Sequence, residues 1–144
     1  MTLICRGVRG ATTAAENSSD AIVDAAAELL KAVVDANGIE ENDVASVIFT
    51  TTPDLTAAFP AAAARRIGWY QVALLGAQEI DHPAGLPRTV RVLIHWNTDK
   101  GIGDLVHVYM RGAESLRPDL HPQNRLVIET KKSVESGASE ENPR

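Results

Sequence analysis

Apolar and polar residues alternate from Thr89 to Trp96. In an extended chain Val90, Val92, Ile94 and Trp96 fall on one side and Thr89, Arg91, Leu93 and His95 on the other, the period of a β-strand lying on a core. The second side carries Arg91 in mid-strand, where a solvated cation would more often sit near an end. A covered, unpaired guanidinium costs on the order of several kcal/mol, so Arg91 must meet water, a carboxylate or an anionic ligand.

The same patterning predicts the other elements. Leu3 to Arg9 is expected as a strand ended by a turn at Gly10-Ala11-Thr12-Thr13. Arg6 and Arg9 are an odd number apart, so at most one of them shares a face with Arg91. Ser18 or Ser19 caps a helix with Asp20 in its first turn, Ile22, Ala26, Leu29, Leu30 and Val33 as its apolar stripe, and Asn37-Gly38 as its stop. Further strands are expected over 44–50, 70–75 and 105–111. The last has Val106, Val108 and Met110 toward the core and Leu105, His107 and Tyr109 opposite. Between them, 51–60 is a loop with two prolines, followed by a short helix over 61–66. Phe59 in that loop either plugs the core or covers a pocket. Arg65 and Arg66 suit the helix dipole, and Arg66 needs no other role. Gly76-Ala77-Gln78-Glu79 is expected as a tight segment after a strand, with Glu79 either plain surface or the partner of an arginine.

Composition narrows the chemistry. A chain of 144 residues makes one domain, read here as residues 1–130, with a disordered tail over 131–144 rich in Ser, Glu, Gly and Asn. The net charge of -5 gives no general pull toward nucleic acid or anionic membrane, so any bound anion is held by a local group of arginines. One cysteine, Cys5, and no apolar run of membrane-span length or signal-peptide character point to the cytoplasm. His82, His95, His107 and His121 are scattered, with no metal-ligand spacing, and the glycines of 98–104 lack the lysine and helix of a phosphate loop. What remains is a set of arginines with one glutamate and one tyrosine, which suits a small molecule carrying more than one negative charge.

Six segments in order carry a family resemblance. They are Arg6-Gly7-Val8-Arg9-Gly10-Ala11-Thr12-Thr13, Thr52-Pro53-Asp54-Leu55 with Ala58-Phe59-Pro60-Ala61, Gln78-Glu79, Arg91-Val92, His107-Val108-Tyr109, and Leu116-Arg117-Pro118-Asp119-Leu120. Together they resemble the AroH-type, monofunctional chorismate mutases typified by the Bacillus enzyme. The resemblance implies a mixed α/β (α+β) fold: a five-stranded mixed sheet with packed helices, three subunits forming a pseudo-α/β-barrel, and active sites between neighbours. It also implies chorismate as substrate, rearranged to prephenate without a cofactor on the way to Phe and Tyr.

By matched position, Arg9 is implied to bind a substrate carboxylate, Arg91 to lie beside the breaking ether oxygen, and Glu79 to lie near the ring hydroxyl. Tyr109 is implied to hydrogen-bond the side-chain carboxylate. Phe59 and Arg65 would belong to a loop over the site, and Leu116 and Arg117 to a segment closing its mouth. Leu74, Leu75 and Gly76 would line it. Leu75 and Gly76 stand where the Bacillus-type sequence has Thr and Cys, so only main-chain contacts would be kept there. Ala62 replaces a loop lysine, and one residue fewer separates Arg66 from Trp69. Two other functions would use similar residues. A trimeric carboxylate-sensing module needs no Arg91–Glu79 pair, and an enamine/imine hydrolase on a related trimeric architecture needs a positioned water.

Overall fold

The computed structural model describes residues 2–117. The alternating stretch is β4 (Thr89–Thr98), the middle strand of a five-stranded sheet. β1 (Ile4–Thr13) and β2 (Val44–Thr51) flank it, both antiparallel. β3 (Ala73–Gln78) lies parallel to β2 and β5 (Val108–Tyr109) parallel to β1, giving a mixed sheet of order β3-β2-β4-β1-β5.

α1 (Ser19–Asn37) covers one face. Ser18 caps it by accepting the Ala21 N–H at 3.1 Å, and Gly38 ends it at φ 73°. Ile22, Ala26, Leu29, Leu30 and Val33 are fully buried in one core with Val8, Phe49 and the inner residues of β4. Each large aliphatic side chain so buried is worth about 1.5–3 kcal/mol. The short helix expected after the loop forms as a 3-10 turn, Pro60–Ala62, running into α2 (Ala63–Arg66). Among the described residues no helix is long and apolar enough to cross a membrane.

Three expectations need correction. β1 does not stop at Arg9: Gly10 to Thr13 continue the ladder against β4. Gly10 is there for space, since a Cβ would lie 2.8 Å from the Val108 carbonyl and 2.9 Å from Val33 of α1. The third strand starts at Ala73, because the Glu41 carboxylate accepts the Gln71 and Val72 N–H groups at 2.7 and 2.9 Å and keeps them off the ladder. Gly76, Ala77 and Gln78 therefore lie inside the strand. The fifth strand shrinks to two residues. Ahead of it the buried Asn37 side chain accepts the Val106 N–H at 2.8 Å and donates to its carbonyl at 2.9 Å, standing in for a neighbouring strand. Leu105 turns into the main core instead of the opposite face. The tail from Lys131 and the domain end at 130 lie outside the described residues.

Candidate active site

The sheet face turned away from α1 carries Arg91. The register sets Thr50 of β2 and Ala11 of β1 on either side of it. Glu79 follows β3 directly and is held at the end of β2 by its N–H, which donates to the Thr51 carbonyl at 2.9 Å. Its Oε2 accepts the Thr50 hydroxyl at 2.6 Å and lies 2.9 Å from Arg91 Nε. That Nε–H is not aligned on the oxygen, so the contact is an ion pair without a true hydrogen bond. The Glu79 side chain is 17% exposed and that of Arg91 42%. The carboxylate is thus committed to its cation, while the guanidinium keeps an open side for a second anion.

Arg9 shares this face. It stands opposite Leu93, one diagonal step from Arg91. Its main-chain N–H donates to His107 Nδ1 at 3.1 Å, so the imidazole replaces the next main-chain acceptor beyond the short β1–β5 ladder. Burial, then the charges of Arg9 and Arg117, hold the His107 pKa below the usual imidazole range. At neutral pH the ring is uncharged, with Nδ1 accepting and the proton on Nε2. Tyr109 stands opposite Ala11, on the face expected for it, with its ring buried against apolar neighbours. It is 3% exposed, packed with Ala11 and Ala113 beside Leu86 and Leu116, because the turn Arg111–Ser115 folds back over β1.

This face meets a clear pattern among known proteins. The sequence profile described as chorismate mutase type I matches residues 5–120. Over 116 residues the chain is 53% identical to chorismate mutase AroH of Thermus thermophilus, covering 80% of this chain and 95% of that one. Over 119 residues it is 36% identical to chorismate mutase AroH of Bacillus subtilis strain 168, covering 82% and 94%. A solved chorismate mutase from Clostridium thermocellum superposes with a TM-score of 0.75 at 49% identity, over 76% of this chain and 98% of that one. The chain belongs to the type I chorismate mutase family. It is accordingly an enzyme of the isomerase class.

Within this chorismate mutase the expected residues divide. Arg9, Glu79, Arg91 and Tyr109 share or adjoin one face, with Leu116 packed near Tyr109 and Arg117 close enough to act on His107. Leu75 aligns with Ile48 and so points to that face, whereas Leu74 and Gly76 point to the other. Phe59 is 84% exposed and does not plug the core; Leu55, at 4%, does. The Arg65 guanidinium lies 5.6 Å above the Tyr70 ring, and Arg66 pairs with Asp24 of α1 at 2.6 Å. A cavity of about 640 Å³ between α1, Arg88 and Arg111 is lined by none of the expected site residues, and its Glu28 and Arg111 neutralise each other at 2.9 Å. Thr50 has no role in the sequence reading, and His107 enters it only as part of a strand and a motif. Each touches an expected residue only through strand register, which a single sequence does not reveal.

Proposed function

We propose that the protein converts chorismate to prephenate by an intramolecular Claisen rearrangement, at a site that begins with Arg91 and Glu79. The observation that carries the reading is this pair: a largely covered carboxylate joined to a guanidinium with an open side, on a sheet face that the core does not need. The reaction breaks one C–O bond while forming one C–C bond in the same molecule, so no proton has to move and no cofactor is required. Two tasks remain. The folded conformer must be held, and the two substrate carboxylates offer handles to Arg9 and Tyr109. Charge that grows in the transition state must be met. The ether oxygen becomes more negative as its bond lengthens, so a fixed guanidinium at Arg91 binds it better then than before. The ring becomes relatively positive, and the Glu79 carboxylate beside Arg91 is the group of opposite sign to it. Removing one such preorganised group costs about 3–4 kcal/mol.

The division of the site residues supports a shared site. Leu74 and Gly76 point away from Arg91, so a cleft using both groups takes them from two chains. β3 is an exposed edge strand throughout, with Leu75 63% exposed, which favours cover by another copy. We read the assembly as a cytoplasmic homotrimer with one site per subunit boundary, serving Phe and Tyr synthesis. Phe59, Arg65, Leu116 and Arg117 would then surround the bound dianion. The test is purified protein with chorismate, following the loss of its ultraviolet absorbance, beside a mass determination in solution. Turnover by a trimer supports the reading. Binding without turnover favours the sensing module, and an active monomer removes the shared site.

A further inference from the structure

Phe59 rides on the loop that leaves β2, and that loop has two anchors. The first half is tied to the start of β4. The Thr52 hydroxyl donates to Asp54 at 2.6 Å and accepts the Thr89 N–H at 3.0 Å, Asp54 accepts the Arg88 N–H at 2.9 Å, and Leu55 is buried. The second half is tied elsewhere. Oδ1 of Asn17 accepts the consecutive N–H groups of Thr56 and Ala57 at 2.9 and 3.1 Å, while its Nδ2 donates to the Thr56 hydroxyl at 3.0 Å. Among the described residues, every side-chain hydrogen bond to 56–59 comes from Asn17. Asn17 directly precedes the cap of α1, so its amide is mounted at the start of a helix that packs into the core.

We propose that Asn17 is a positioning residue for the Phe59 loop and, through it, a determinant of substrate affinity. The claim rests on reading Phe59 as part of the chorismate site. Asn17, Thr56 and Ala57 are all exposed, so the grip adds little to the core, yet it fixes the main chain two residues before Phe59. With the grip gone, those residues must be ordered afresh at each binding event, which weakens binding roughly tenfold for one residue fixed. The loop meets substrate and transition state alike, so the loss falls on KM rather than kcat.

Asn17→Ala removes all three bonds. Asn17→Asp keeps both acceptor contacts and leaves a second oxygen for the Thr56 hydroxyl. Steady-state kinetics with chorismate should show KM raised about 5- to 20-fold in Asn17→Ala with kcat within about threefold, and Asn17→Asp close to wild type. Combined with Phe59→Ala, Asn17→Ala should add no further loss, because both act through one ring. Hydrogen exchange at the Thr56 and Ala57 amides should quicken in Asn17→Ala and not in Asn17→Asp. An unchanged KM in Asn17→Ala, losses that add to those of Phe59→Ala, or an aspartate no better than alanine each overturn the proposal. Wild-type protein without turnover overturns the functional reading, and the affinity claim with it.

Discussion

Arg91→Ala separates chemistry from stability. Two unit charges about 4 Å apart at an effective dielectric of about 20 interact by about 4 kcal/mol. The transition-state oxygen carries only part of a charge, so the Coulombic share is about 2 kcal/mol, and charge-assisted hydrogen bonding brings the loss to about 3–4 kcal/mol. The expected fall in kcat is roughly 10²- to 10³-fold, with a much smaller rise in KM. The folded protein loses far less. With 42% of the Arg91 side chain in solvent, its pair with Glu79 contributes at most about 1 kcal/mol. Glu79 also keeps the Thr50 hydroxyl, so Tm should drop by only about 3–5 °C. Arg91→Lys keeps the charge but loses the planar fork, and should fall between, down roughly 10- to 100-fold. Initial rates from chorismate absorbance and a thermal melt by circular dichroism measure both quantities on the same samples. A folded Arg91→Ala protein with kcat within about tenfold of wild type would refute the assignment.

Other perturbations test the frame around the site. Thr12 is fully buried and its hydroxyl has no hydrogen-bond partner among the described residues, so the near-isosteric Thr12→Val should stabilise by about 1 kcal/mol in urea unfolding; a loss would reveal a hidden partner. Gly10→Ala should cost about 1–3 kcal/mol, because its methyl meets a carbonyl and two α1 side chains; an unchanged midpoint would mean that α1 yields freely. The folded-state pKa of His107 lies below the ordinary 6.5, so its contribution is complete above that pH and is lost as pH falls from 6.5 through the lowered value. His107→Asn keeps an acceptor and does not titrate, so urea unfolding measured across pH should show a flatter acid limb; an identical limb assigns the loss to another group. From about pH 7 to 9 kcat should stay level, since the rearrangement moves no proton; a bell-shaped profile would point to a titrating catalytic group.

Much of this was legible in the sequence where local physics decides. The β4 alternation, the α1 stripe and the Ser18 and Gly38 ends all emerge as the periods and caps require. What was hidden is set by distant partners. Gly10 looked like a turn because a glycine needed for helix clearance is spelled the same way as one needed for a bend. Tyr70 to Leu75 looked like a strand, but Glu41, some thirty positions earlier, claims the amides at its start. Val106 looked like strand until the Asn37 side chain took its main chain. At the site, the Arg91 anomaly was visible from alternation alone. The Glu79 partnership was one of two open readings, and Thr50 and His107 depend on register across the sheet.

The strand order has a consequence for synthesis. Among the described strands β1 pairs with β4 and β5 alone, and these come last in the chain. A nascent chain therefore shows α1 with Leu29, Leu30 and Val33 bare, beside a β1 that has nothing to pair with, until Thr98 has left the ribosome. At about 5–20 residues per second that interval lasts on the order of several seconds, long compared with the collapse of a small chain. Slow codons ahead of Thr98 lengthen the exposure of the helix stripe to holdase chaperones.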